Sequence, residues 1–139
     1  MPVIRGSAEA ARNRSRSDLD EPALDLVHLA RQCQGDAELE GELLRLFRRQ
    51  TGLLAEKLSD PAAKPAREKA DLAHRIKGSA LAVGARRVAL AAAAIEESAL
   101  ALSDKDVSGG AYPAALEQAI AALQRTVREA AAEIERICG

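Results

Sequence analysis

Residues 113–137 read PAALEQAIAALQRTVREAAAEIERI, and they carry the clearest helical pattern in the chain. That pattern places the apolar residues on one side of an α-helix, and Pro113 suits the first helical position. The stretch therefore predicts a long amphipathic helix whose apolar side packs against other helices. Its apolar residues recur at steps of three and four: Leu116, Ile120, Leu123, Val127, Ala130, Ile134 and Ile137.

Three earlier segments predict further long helices. The first begins after Asp36, a suitable N-cap, and runs to about residue 59. The second begins near Pro65, and Gly84 ends or bends it. The third follows directly. The apolar positions are Leu39, Leu43, Leu46, Phe47, Leu54 and Leu58 in the first of these helices, and Val88, Ala91, Ile95, Ala99 and Leu102 in the third.

The beginning of the chain predicts a tail and one short helix. Residues 1–19 are small, polar and mildly basic, with little to bury, so we expect a disordered tail. Pro22 suits a first helical position, and the short helix should stop before Gly35. Its predicted core-facing residues are Leu24, Val27 and Ala30.

These elements together predict an all-α fold. Residues 103–110 (SDKDVSGG) have the composition of a loop, and short connections make consecutive helices antiparallel neighbours. We therefore expect an antiparallel four-helix bundle, up-down-up-down, with a short additional N-terminal helix. It would form one domain over residues 20–139.

Composition excludes several classes of function. The formal net charge is -1, and Phe47 and Tyr112 are the only aromatic residues, so neither charge attraction nor base stacking favours a nucleic acid as partner. Cys33 and Cys138 lie far apart and form no metal motif, which favours a reducing compartment. No apolar run is long enough for a membrane span, and residues 1–19 lack a secretory signal. We expect a soluble, cytoplasmic monomer.

Residues 73–85 read AHRIKGSALAVGA and hold one of only two histidines. On a helical wheel, His74 lies opposite the core-facing side, and Lys77, Gly78 and Leu81 are its neighbours at three, four and seven residues. Ala70, one turn earlier, is predicted to add another small neighbour. The predicted core-facing side consists of Leu72, Ile76, Ser79, Ala80 and Val83.

An exposed histidine among cations suits phosphorus chemistry better than the alternatives. Arg75 and Lys77 repel a metal ion, and a convex helix face offers no pocket for general-base catalysis. Nearby positive charge disfavours protonation of the ring and so keeps it nucleophilic. Lys77 could then stabilise a phosphoryl group on His74, while Gly78 leaves room for a partner's active site. The other histidine, His28, is interpreted as an ordinary, partly exposed residue.

The same stretch resembles the signature of the histidine-containing phosphotransfer (HPt) domain family. The segment from Gly35-Asp36 to Phe47 is similar to that family's second helix, and Ile95-Glu96 resembles the end of its fourth-helix pattern. The resemblance implies that His74 is the phospho-acceptor, that Lys77 assists electrostatically, and that Gly78 gives clearance.

The resemblance also implies partners. Phosphate would move between His74 and the aspartate of response-regulator receiver domains, supplied by an upstream (hybrid) histidine kinase. Mg²⁺ would be bound by the receiver only, so this chain would need no cofactor and act as a phospho-carrier without kinase activity. Ala70, Gly78, Leu81 and Ala82 are the predicted docking residues.

Two alternatives stay open. One is a non-phosphorylated helical interaction module, for which His74 would be dispensable. The other is the dimerisation and phospho-acceptor module of a histidine kinase, although Arg75 stands where such modules usually carry an acidic residue, and the sequence shows no glycine-rich ATP-binding segment.

Overall fold

The structure is a computed structural model that describes residues 22–60, 65–102 and 112–138. Those residues form five α-helices and no strand, which confirms the predicted all-helical class. The predicted tail (1–19) and the predicted loop (103–110) lie outside the described ranges. The helices are α1 (Leu26–Gln32), α2 (Ala37–Leu58), α3 (Ala66–Val83), α4 (Arg86–Leu100) and α5 (Ala114–Cys138).

The four long helices pack in a closed ring around one core. α2 contacts α3 and α5, α4 also contacts α3 and α5, and α1 lies against α3 and α2. The most extensive pairing joins α3 to α4. Alanines without exposed surface, including Ala73, Ala80 and Ala92, line these two helices and allow their backbones to approach closely.

The apolar stripe of α5 is confirmed along most of its length. Leu116, Ile120, Leu123, Ala130 and Ile134 are buried, and Val127 is half-buried. Ile137 in the last turn is 41% exposed. On α4 the predicted Val88, Ile95 and Ala99 are buried, and Leu102 follows the end of the helix.

The apolar spacing of α2 coincides only in part with its buried side, although the predicted boundaries of the helix are right. Asp36 is the N-cap and accepts a hydrogen bond from the backbone N–H of Leu39, at 3.1 Å. Leu39 and Leu46 are exposed, whereas Leu44 is buried. The buried side of α2, which packs against α3 and α5, is therefore rotated around the helix axis from the side that the leucine spacing indicated.

The leading helix begins later than predicted. Asp25, not Pro22, precedes its first turn, and the Asp25 carboxylate accepts a hydrogen bond from the backbone N–H of His28 at 3.1 Å. Because the helix begins after this cap, Leu24 lies outside it, and the three-residue spacing from Leu24 to Val27 does not place Val27 on the buried side: Leu29 is buried and Val27 is 63% exposed. The prediction that Val27 faces the core is therefore wrong, while Leu24 is buried as expected.

Gly84 ends α3, as predicted, and joins that helix end to the segment before α1. Its φ of 80° lies in the left-handed region that glycine adopts without strain. The backbone N–H of Asp25 donates to the carbonyl oxygen of Gly84 at 2.8 Å. A Cβ on Gly84 would lie 2.8 Å from the carbonyl oxygen of Asp25, so the contact needs glycine for a second reason.

A lysine is buried where α2 ends. Lys69 is 2% exposed, and its Nζ donates to the carbonyl oxygen of Leu58 in the last turn of α2. The same ammonium lies 5.1 Å from the centroid of the Tyr112 ring, close enough for a cation–π interaction. Lys69 thus ties α3 to the end of α2 and to the residues just before α5.

Candidate functional site

His74 lies in the middle of α3 on the side that faces away from the core. Its side chain is 67% exposed, whereas Ala73, Ile76 and Ala80 of the same helix have no exposed surface. The helical wheel therefore placed His74 correctly. The remaining predicted core residues of α3 follow the wheel in part, with Val83 buried and Leu72 and Ser79 half-buried.

Gly78, one turn after His74, is exposed and has open space above it. A Cβ added at this position would meet no atom within 4 Å outside the local helix backbone. The packing of the bundle therefore does not require glycine here, and glycine costs about 1 kcal/mol relative to alanine inside a helix. The missing side chain leaves the approach to the imidazole clear.

The sequence analysis assigned no role to the residue that organises this site. Glu96 on α4 reaches across to α3 and contacts both predicted functional side chains. Its Oε2 lies 2.6 Å from Nδ1 of His74, and its Oε1 accepts a hydrogen bond from Nζ of Lys77 at 2.7 Å. We refer to His74, Lys77 and Glu96 together as the Glu96 clamp.

The carboxylate of Glu96 is kept ionised by its neighbours. The hydrogen bond from Lys77 lowers the pKa of Glu96 most strongly, partial burial acts in the opposite direction, and the hydrogen bond with His74 lowers it further. The Glu96 side chain is 20% exposed, so it is partly shielded from water. A partly buried anion paired in this way holds both partners in place.

The clamp determines which ring nitrogen of His74 contacts the carboxylate of Glu96. An ionised carboxylate only accepts hydrogen bonds, so the proton between Glu96 and His74 belongs to Nδ1. In a neutral imidazole the other ring nitrogen then carries the lone pair. In that form of the ring, Nε2 is the nitrogen with an available lone pair, on a side chain that is largely exposed to solvent.

The structure corrects the predicted electrostatics of the histidine. The sequence placed two cations, Arg75 and Lys77, nearest to His74. In the folded chain the nearest charge is the Glu96 carboxylate, and Lys77 is paired with that same carboxylate. The imidazole of His74 therefore has a hydrogen-bond acceptor at Nδ1. The positive charge of Lys77 is neutralised by Glu96 as long as no other anion is bound.

One sequence signal could have pointed to Glu96. It follows Ile95, which is fully buried, and stands one turn after the buried Ala92 in an alanine-rich helix. A carboxylate at the edge of a core-facing stripe needs a partner. Neither the alanine pattern nor the Ile95-Glu96 resemblance says which neighbouring helix supplies that partner.

The predicted docking residues divide into three that are available and one that is not. Leu81 is 54% exposed, and Gly78 and Ala82 are exposed as well. Ala70 is 2% exposed, so the prediction that it contacts a partner is wrong. Four residues turn a helix by about 400°, so Ala70 lies about 40° around the axis from His74 on the side nearer to the buried Ala73, and the packing of the bundle covers that side.

The described part of the chain holds neither a candidate metal site nor a candidate membrane span. Within residues 22–60, 65–102 and 112–138, no group of three or more histidine, cysteine or acidic side chains could hold a metal ion. Within the same part of the chain, no helix has the length and apolar character that crossing a membrane requires.

The geometry defines a class of protein: a helical bundle that presents one exposed, oriented histidine on a convex face beside a lysine. Comparison with known families identifies that class, because the Hpt domain matches residues 38–126, more than half of the chain and all of the Glu96 clamp. The chain therefore belongs to the Hpt domain family. No curated protein and no solved structure gave a significant match.

Membership of the Hpt domain family defines the general role of the chain. Hpt domains are phosphocarrier modules of two-component signalling, not kinases, and they interact with receiver domains and histidine kinases in phosphorelays. The family match confirms the expectations of a phosphotransfer module and of an HPt-type helical bundle.

Proposed function

We propose that Nε2 of His74 accepts a phosphoryl group from the aspartyl phosphate of a response-regulator receiver domain and returns it to a receiver aspartate. The observation that supports this most directly is the 2.6 Å contact between Nδ1 of His74 and Glu96. It leaves the Nε2 lone pair available on an exposed ring. The clearance above Gly78 supports the same role, since a receiver must approach closely.

The transfer step needs no proton to leave the histidine. The Nε2 lone pair attacks phosphorus, a nitrogen–phosphorus bond forms, and the bond between phosphorus and the aspartate oxygen breaks. That oxygen leaves with the electron pair as a carboxylate. The Nδ1 proton stays on the ring, where the negative charge of Glu96 offsets the positive charge that the ring acquires.

Lys77 is suited to stabilise the phosphoryl group once it is on His74. Its ammonium is held by Glu96 at 2.7 Å, one helical turn from the imidazole, and its side chain is 29% exposed. A doubly charged phosphoryl group adds three strong acceptor oxygens beside this ammonium. Lys77 can then donate to the phosphoryl group while Glu96 continues to accept a hydrogen bond from Nδ1 of His74.

The proposed partners are a receiver domain and an upstream, hybrid histidine kinase, with Mg²⁺ supplied by the receiver. Gly78, Leu81 and Ala82 are the proposed docking residues around His74. We further propose a cytoplasmic monomer with its four long helices running up-down-up-down. The closed ring of contacts among α2, α3, α4 and α5 supports that topology.

The test is phosphotransfer from a labelled receiver. The wild-type chain, His74→Gln and Leu100→Gln, a control at an exposed residue of α4 outside the proposed site, are each incubated with a receiver phosphorylated on its aspartate. We expect label on the wild type and on Leu100→Gln, and none on His74→Gln, with all three folded by circular dichroism. Equal labelling of His74→Gln and wild type would refute the assignment, and absence of label from every protein across a receiver panel would favour a non-phosphorylated interaction module.

A further inference from the structure

Three leucines on the outward side of α2 are exposed and lie in one line along the helix. Leu39, Leu46 and Leu53 are 39%, 40% and 61% exposed. They recur every seven residues, which on a helix is about 20° short of two full turns. Single exposed leucines are common on protein surfaces. A line of them at seven-residue spacing is instead the pattern by which one helix pairs with another.

Two opposite charges lie beside this line, at nearly equal distances from its centre. Glu42 precedes Leu46 by four residues, Arg49 follows it by three, and both are exposed. At about 100° per residue, both side chains lie about 40–60° to the same side of Leu46. We refer to Leu39, Glu42, Leu46, Arg49 and Leu53 together as the α2 leucine face.

A second copy of the α2 leucine face, running antiparallel, complements the first in both apolar surface and charge. With a two-fold axis at Leu46, the two Leu46 side chains meet, and Leu39 of each copy meets Leu53 of the other. Glu42 of each copy then lies opposite Arg49 of the other, offset by about 1.5 Å along the helix axis. A parallel pair would leave these two charges about 10 Å apart along the axis, so the charges favour the antiparallel arrangement.

We propose that two copies of the chain pair reversibly through the α2 leucine face, antiparallel and about a two-fold axis at Leu46. Such an isologous contact uses the whole face of each copy, so association stops at a dimer. The leucines supply the apolar contact, and the two Glu42–Arg49 pairs set its direction and register. No residue of the Glu96 clamp belongs to the face, so the pairing goes beyond the proposed phosphotransfer function and does not depend on it.

The small size of the face makes this pairing weak. From Leu39 to Leu53 it extends about 21 Å along one helix that is about 10 Å wide. It therefore offers much less than the roughly 800 Å² that each partner buries in a specific complex of ordinary size. We expect a Kd of the order of 100 μM. The monomer proposed above is then the species at low concentration, and the dimer forms as the concentration rises.

Sedimentation equilibrium of the wild type, Leu46→Gln and Leu100→Gln tests the apolar contact, with circular dichroism to check that each is folded. Leu46 meets its own copy at the axis, so one substitution changes two side chains of the dimer, and we expect Kd to rise about tenfold. Leu100 is 65% exposed on α4, outside the face, and Leu100→Gln should associate as wild type. A wild type that is still monomeric at about 1 mM, or a folded Leu46→Gln with the wild-type Kd, would overturn the inference.

Charge reversal tests the antiparallel register independently of the leucines. Glu42→Arg places two arginines opposite each other, Arg49→Glu places two glutamates opposite each other, and each should raise the Kd about fivefold. The double variant Glu42→Arg/Arg49→Glu restores both pairs with their signs exchanged, so its Kd should return to within about twofold of wild type. A partner other than a second copy would not be rescued in this way. A double variant that associates no better than the single variants would overturn the proposed pairing.

A receiver domain is the competing occupant of the α2 leucine face. Transfer from a phosphorylated receiver to the wild type and to Leu46→Gln is therefore measured against receiver concentration. A raised receiver KM in Leu46→Gln, together with a wild type that sediments as a monomer, would assign the face to the receiver and overturn the inference. Sedimentation requires no phosphoryl group, so a dimer that no receiver labels would contradict the proposed phosphotransfer function and support the pairing.

Discussion

Glu96 on α4 lies 2.6 Å from Nδ1 of His74 on α3, although 22 positions of chain separate the two residues. The same carboxylate holds Lys77 at 2.7 Å. One acidic side chain therefore orients the proposed phospho-acceptor and positions the cation that would stabilise its phosphoryl group. Substitutions at Glu96, Lys77 and Gly78 can separate these two roles from each other and from general effects on folding.

Glu96→Ala should slow phosphotransfer, because His74 loses the acceptor that keeps the proton on Nδ1. We expect a reduction of about tenfold, since a hydrogen bond to a charged group contributes about 1.5 kcal/mol. Glu96→Gln should lie between Ala and wild type, because its amide oxygen still accepts from Nδ1 without a negative charge. Single-turnover transfer from a phosphorylated receiver measures the rate.

The ¹⁵N spectrum of the imidazole supplies a control for that experiment. We expect the wild type to show a proton mainly on Nδ1 of His74, and Glu96→Ala to lose this preference. If the ring of Glu96→Ala keeps the wild-type tautomer and the transfer rate is unchanged, Glu96 does not orient the histidine.

The stability of the bundle should depend on pH through Glu96. Its pKa is lowered in the folded chain from the ordinary 4.5, chiefly by the hydrogen bond from Lys77. A depressed folded pKa means that the unfolded chain binds the proton more readily, so the stabilisation is fully present above pH 4.5 and is lost as the pH falls through the folded value.

Urea denaturation of wild type and Glu96→Gln at several pH values measures this contribution. The difference between them should be constant near neutral pH and should shrink progressively below about pH 4.5. A difference that does not change with pH across this window would show that the ion pair adds nothing to folding stability.

Lys77→Ala should slow transfer or shorten the lifetime of the phosphohistidine while the bundle stays folded. The phosphoryl oxygens lose a cationic donor, and a charge-assisted hydrogen bond at such a half-exposed position contributes about 1 kcal/mol, or roughly fivefold. Arg75→Ala is the matched control, because it removes a neighbouring positive charge that is not part of the Glu96 clamp. If both substitutions changed the transfer rate and the phosphohistidine lifetime equally, the cause would be the loss of overall positive charge and not the loss of the Lys77 ammonium.

Gly78→Ala should have opposite effects on stability and on transfer. Because an added Cβ meets nothing within 4 Å, we expect the free energy of unfolding to rise by up to about 1 kcal/mol. Receiver-dependent transfer should fall, and Gly78→Val should lower it further, as the side chain enters the space needed by the partner.

Gly52→Ala on α2 is the control for Gly78→Ala. An added Cβ there also meets nothing within 4 Å, and the residue lies outside the proposed site. It should raise stability by a similar amount and leave transfer unchanged. If Gly78→Ala transfers as fast as Gly52→Ala, the clearance above Gly78 has no part in docking, and Gly78→Val then shows whether a larger side chain blocks it.

Local sequence pattern accounts for much of this molecule. The three- and four-residue spacing of Leu116, Ile120 and Leu123 is sufficient to predict α5, because it depends only on the geometry of one helix. The exposure of His74 and the end of α3 at Gly84 follow from the same kind of local information. Where a helix begins later than the pattern predicts, as α1 does after Asp25, the pattern alone misplaces residues such as Val27.

The sequence by itself determined that the chain is helical and that His74, Lys77 and Gly78 share an outward face of α3. Only the tertiary structure decided that Glu96 joins His74 to Lys77 and that Ala70 is buried. The physical reason is that periodicity orients each residue around the axis of its own helix. The height and rotation of one helix against the next depend on packing across the whole core, and residues on separate helices meet only once that packing is set.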